Sequence, residues 1–108
     1  MENWKVVDDD IEDWAVIKQM ADTNEGDYNI DKTIEEIFEL GEALMKRKLK
    51  GEQYGASNKH IIDEIGDVQI RINVLREILG PHKVDERVKF KLAKFRGFYK
   101  DKKYIGRI

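Results

Sequence analysis

Apolar and polar positions recur along this chain with a helical period, in four successive stretches. From about Asp10 to Thr23, Ile11, Trp14, Ile17 and Met20 repeat at three-residue steps behind an acidic opening turn. "NEGDYN" interrupts that pattern. A second stretch begins near Asp31, a candidate N-cap, and runs to Leu49 before "KGEQYGAS" ends it. The third starts at Ser57 or Asn58 and stops at Gly80-Pro81, read as a helix-closing pair. The fourth covers about Val84 to Tyr99, with Val84, Val88, Leu92 and Phe95 on one stripe, and the tail "KDKKYIGRI" reads as extended. No run alternates with the period of a strand. The pattern predicts an all-α chain of four helices.

The two central helices differ in character. On the second, at about 100° per residue, Ile34, Ile37, Phe38, Leu40, Leu44, Met45 and Leu49 share a face and the glutamates lie opposite. This predicts an amphipathic helix with its apolar side inward. On the third, Ile61, Ile65, Val68, Ile72, Leu75 and Leu79 form a regular seam, and Ile70, Val74 and Ile78 form a second apolar stripe. A helix apolar on two sides is central and packs against more than one neighbour. Glu64, Asp67 and Arg71 fall between its stripes, where they are partly covered. Desolvated carboxylates need a compensating cation. Arg71 can neutralise one of them, but not all.

Length and composition narrow the class. At 108 residues, 41% hydrophobic and 39% charged, the chain suits one domain over residues 1–108, with a basic tail from about residue 98. Cysteine is absent, which removes disulfides, thiolate metal sites and thiol nucleophiles and fits a cytoplasmic setting. No apolar run approaches a membrane span, and "MENWKVVDDD" does not read as a signal peptide. The net charge of −2 conceals an asymmetry: residues 1–80 hold 19 acids and 10 bases, residues 81–108 hold 3 acids and 10 bases. A basic end of that kind suits a polyphosphate ligand or a nucleic acid, although a solvated face is the plainer reading.

Spacing then singles out four acids. Glu36 and Glu39 are three apart, as are Glu64 and Asp67, so each pair projects from one side of its helix. If the two helices run antiparallel, the pairs face each other and four carboxylates converge. An all-oxygen donor set without histidine or cysteine suits Mg²⁺ or Mn²⁺ rather than zinc. A di-iron centre would need a Glu-x-x-His pair on each of two helices; Ser57 precedes His60 and Leu79 precedes His82 at that spacing.

The stretch "EEIFE" (Glu35, Glu36, Glu39), followed after 24 residues by "EIGD" (Glu64 to Asp67), resembles the paired acidic motif of the MazG-like all-α nucleoside triphosphate pyrophosphohydrolases. The resemblance spans about residues 10–98. It implies a four-helix bundle-like fold whose subunits associate as a homodimer or, as a dimer of dimers, a homotetramer. It further implies Mg²⁺ held by Glu36, Glu39, Glu64 and Asp67, with Glu35 positioning or deprotonating the attacking water. The implied reaction cleaves a nucleoside triphosphate between its α- and β-phosphates, giving monophosphate and pyrophosphate. Such chemistry asks for charge neutralisation and an oriented nucleophile more than for covalent help.

The remaining candidates are substrate-binding. Trp14 could stack on a base, though its stripe places it in the core with an edge open to the pocket. Asn73 lies on the third helix away from Glu64 and Asp67 of its own subunit; it could contact a base across a subunit interface, although a helix-packing hydrogen bond is the plainer reading. Lys91, Lys94 and Arg96 are the candidates for substrate phosphates. His60 reads as a helix-start residue. Gly41 and Gly66, each costing about 1 kcal/mol in mid-helix, suggest close helix approach. The competing reading is a non-catalytic helical interaction module for a basic partner or nucleic acid, which would need no metal.

Overall fold

A computed structural model describes residues 11–23, 25–51 and 57–100, and these form four α-helices: α1 (Asp13–Asp22), α2 (Tyr28–Lys50), α3 (Ser57–Leu79) and α4 (Pro81–Lys100). Among the described residues there is no strand, so the fold is all-α as the periodicity predicts. No helix there is long and apolar enough to cross a membrane. The extended tail expected beyond α4 lies outside the described residues, except that Lys100 is the last residue of α4.

Helix boundaries moved where local chemistry differed from the signals read. α2 begins three residues before Asp31, whose N–H donates instead to Asp27 O at 2.8 Å inside the first turn. α2 closes at Gly51, whose φ of 68° is a left-handed value that suits glycine and whose N–H bonds to Arg47 O. Gly80, at φ 112°, does end α3, but Pro81 opens α4 rather than merely terminating its predecessor. The N–H at the first position of a helix has no intrahelical acceptor, so proline, which lacks that N–H, is at home there.

The helices group into two compact units, Met1–Ile78 and Leu79–Ile108. In the first, α2 and α3 run antiparallel. Arg47 Nε near the end of α2 reaches Asn58 Oδ1 at the start of α3 (3.1 Å), while Arg71 late in α3 reaches Asn29 early in α2 (3.2 Å). α1 is joined to them at its C-terminal end. Its Met20 carbonyl, one of the last-turn acceptors without an intrahelical partner, receives Thr23 Oγ1 at 3.0 Å and Asn29 Nδ2 at 3.2 Å.

The face that α2 turns inward is not the one its apolar pattern predicts. Covered positions are Asn29, Thr33, Glu36, Leu40, Ala43 and Arg47, while Ile34, Ile37, Leu44 and Met45 are exposed and Phe38 and Leu49 are each 73% exposed. On α3 the covered line includes Ile61, Glu64, Val68, Arg71 and Val74, and the expected seam members Ile65, Ile72 and Leu79 are exposed. Along its covered line α2 presents the small or polar Asn29, Thr33, Glu36 and Ala43 beside Leu40, towards a line on α3 that includes Ile61, Val68 and Val74, while most of the large apolar side chains of α2 are left outside. Gly41 and Gly66 do not mark a close approach, since a Cβ added at either meets nothing within 4 Å. α4, described by itself, has a half-covered line of Val84, Lys91, Phe95 and Phe98; Val88 and Leu92 of its predicted stripe are exposed.

Candidate metal centre

Glu36 sits on the covered line of α2, and Glu64 and Asp67 sit one turn apart on α3. Antiparallel packing brings one ligand oxygen from each to within 4.8 Å of the others. Two oxygens on opposite sides of an octahedral Mg²⁺ are separated by about 4.2 Å. A small side-chain adjustment therefore closes the triad around a hard divalent cation. No histidine or cysteine shares the cluster, which keeps the donor set all oxygen.

Burial makes this cluster different from a charged surface. Glu64 is only 7% exposed, and Glu36 is half-buried. Glu36 Oε2 and Glu64 Oε2 are both buried without a hydrogen-bond partner. Such atoms are rare in folded proteins because an unpaired buried acceptor loses its water and gains nothing. Burial raises the pKa of Glu36 above the ordinary glutamate value, and the charges of Glu39, Asp67, Glu64 and Glu35 push it further. Burial likewise raises that of Glu64, helped by the charges of Glu39 and Asp67, against an opposing effect of His60. The protein thus holds these carboxylates where their anionic form is disfavoured. A cation at the point of convergence removes that penalty.

The other acids of the same helices are placed differently. Glu39 is exposed but close enough to act on both Glu36 and Glu64. Glu35 is exposed and paired with Lys32 Nζ at 3.4 Å, one helical step away from the triad. Glu42 faces Lys46 at 4.0 Å and Asp63 faces Lys59 at 3.1 Å, both on exposed surface.

A cavity of about 760 Å³ opens beside the triad, lined by Asp13, Val16, Ile17 and Met20 of α1, Glu36 of α2, and Asp67, Ile70, Arg71 and Asn73 of α3. Its volume is within the range of small-molecule sites. Asn73 therefore shares a cavity with Glu36 and Asp67 of its own chain, contrary to its angular separation from the acids on α3. That angle describes one helix alone; α1 lies over the face carrying Ile70 and Asn73, and the space between helices runs round α3 to reach both. Trp14 is 68% exposed rather than core, and lines an adjoining cavity of about 220 Å³ with Ile17, Asn73, Arg76 and Glu77. Lys91, Lys94 and Arg96 lie on α4 in the second unit, where Lys91 Nζ sits 5.3 Å from the Phe95 ring centre.

Sequence reasoning missed Asn29, which is 1% exposed, and the cavity-lining Asp13, Val16 and Met20. Asn29 falls in a segment read as a break between helices, so no periodic signal marked it. No protein-family model, curated protein or solved structure matches this chain.

Proposed function

We propose that this chain is a Mg²⁺-dependent nucleoside triphosphate pyrophosphohydrolase of the MazG-like all-α kind. The observation that carries the reading is the pair of buried, unpartnered carboxylate oxygens of Glu36 and Glu64 converging with Asp67 from two helices. Glu36, Glu64 and Asp67 hold Mg²⁺, or Mn²⁺ in its place, and Glu39 stands beside them as a fourth donor. When bound, the ion neutralises phosphate charge and lowers the pKa of coordinated water. Glu35 orients or deprotonates the attacking water, for which it must leave Lys32. Trp14 and Asn73 line adjoining cavities suited to a base and sugar.

The apolar face of α2 completes the proposal. Ile34, Ile37, Phe38, Leu44, Met45 and Leu49 are too many large side chains to leave in water on one helix. A second copy of the chain covers them, giving a homodimer that can pair again into a tetramer. Sedimentation showing only monomer at micromolar concentration removes this element.

The deciding experiment is a panel of ribo- and deoxyribonucleoside triphosphates scored for pyrophosphate release with and without Mg²⁺. Metal-dependent release of pyrophosphate together with a monophosphate is expected. Orthophosphate as the product, or no turnover with any nucleotide, defeats the enzymatic reading. A salt-sensitive nucleic-acid shift in place of turnover would favour the interaction module.

A further inference from the structure

We propose that Arg71 is a phosphate-binding residue of this site, held by Asn29 so that its guanidinium faces a condensed phosphate chain rather than the neighbouring carboxylates. The inference rests on the metal-dependent reading above. Arg71 follows Asp67 by four residues on α3 and lines the same cavity as Glu36 and Asp67. Its sequence context predicts that it neutralises one of those acids. Instead it makes no ion pair among the described residues, and its hydrogen bond runs from Nη1 to the neutral Oδ1 of Asn29 at 3.2 Å.

Asn29 is fixed in that orientation. Its Nδ2 donates to Met20 O at 3.2 Å, which turns Oδ1 towards Arg71, and Thr33 Oγ1 donates to the Asn29 carbonyl at 2.7 Å. An amide oxygen orients a guanidinium without cancelling its charge. The half-buried Arg71 thus keeps a full positive charge and has N–H groups without a protein acceptor among the described residues. A planar fork of that kind matches phosphate in bidentate fashion. One helical turn, about 5.4 Å, separates it from Asp67. A condensed phosphate held at the metal by one group can therefore offer the next to Arg71.

The alternative is that Arg71 only ties α3 to α2. Calorimetric titration of the full chain with inorganic pyrophosphate in saturating Mg²⁺, beside a Mg²⁺ thermal-shift titration, separates the two. Arg71→Met should weaken pyrophosphate binding on the order of 10- to 100-fold, from the loss of charge-assisted hydrogen bonds, while Mg²⁺ alone should stabilise the variant at least as strongly, because a positive charge near the carboxylates is gone. A mere tie would lower the melting temperature and leave the affinity of the folded protein unchanged. Should Arg71→Met not fold, Arg71→Lys decides, because it keeps the charge and one donor for Asn29 but loses the fork. Unaltered pyrophosphate affinity in the folded variant, with Mg²⁺ still stabilising, overturns the role of Arg71 alone. Absence of Mg²⁺ stabilisation in the unsubstituted protein overturns the metal reading, and this inference with it.

Discussion

Two sets of acids share α2 and α3, and they live in different environments. Glu35, Glu42 and Asp63 are exposed, and each reaches a lysine three or four residues away along its own helix. Glu36, Glu64 and Asp67 converge between the helices, without an ion pair among the described residues and with two oxygens buried and unpartnered. The first set solves its electrostatic problem locally, through solvent and i,i+4 pairing. The second set has the problem created by folding itself, since packing removes water and brings like charges together. A residue type alone therefore says little; a glutamate is a solvated surface group at one position and a buried carboxylate with an unpartnered oxygen at another.

Activity offers the widest separation between the sets. On the proposed function, Glu64→Gln, Glu36→Gln and Asp67→Asn should each lower Mg²⁺-dependent pyrophosphate release by roughly 100-fold or more, since loss of a proposed metal ligand should exceed the 10–100-fold typical of supporting partners. Glu42→Gln and Asp63→Asn should stay within about twofold, since surface positions rarely couple to a distant site. Equal damage from Glu42→Gln and Glu64→Gln would dissolve the comparison and the ligand assignment with it.

Stability against metal and pH sharpens the contrast at an intermediate scale. Both Glu36 and Glu64 have raised pKa values in the folded protein. Between the ordinary carboxylate range and those raised values, the folded, metal-free protein binds more protons than the unfolded chain. Its stability therefore falls as pH rises through that window and is recovered on acidification. If Mg²⁺ binds there as proposed, it competes with those protons, so its stabilising effect should grow with pH and reach about 2.7 kcal/mol at one hundred times its dissociation constant. Thermal melts across that window, with and without Mg²⁺, measure both. A metal-free stability that rises with pH there would contradict the buried-charge account.

The smallest effect is the most discriminating in sign. Without metal, Glu64→Gln should stabilise the protein on the order of 1 kcal/mol, by removing a charge from a site that penalises it. Glu42→Gln should instead cost about 0.3–0.5 kcal/mol, the value of an exposed i,i+4 pair. Denaturant midpoints moving in the same direction for both would show that the two environments are alike.

Much of this arrangement was legible along the chain. The four helices and the boundary at Gly80-Pro81 follow from periodicity and turn chemistry, and Glu64 and Asp67 share a side of α3 because residues three or four apart on one helix must do so. The all-oxygen donor set follows equally from which residues stand there. Periodicity, however, says nothing about how far a helix is rotated about its own axis. Tertiary packing set that rotation: α2 turned Thr33, Glu36 and Ala43 inward and left Phe38 and Leu49 outside, and it buried Glu64 while Asp67 stayed exposed. Packing likewise brought Asn73 onto the cavity with Glu36, and Asn29 against Arg71 across 42 positions of sequence. Contacts between separate helices depend on both surfaces at once, and the pattern of either one alone cannot specify them.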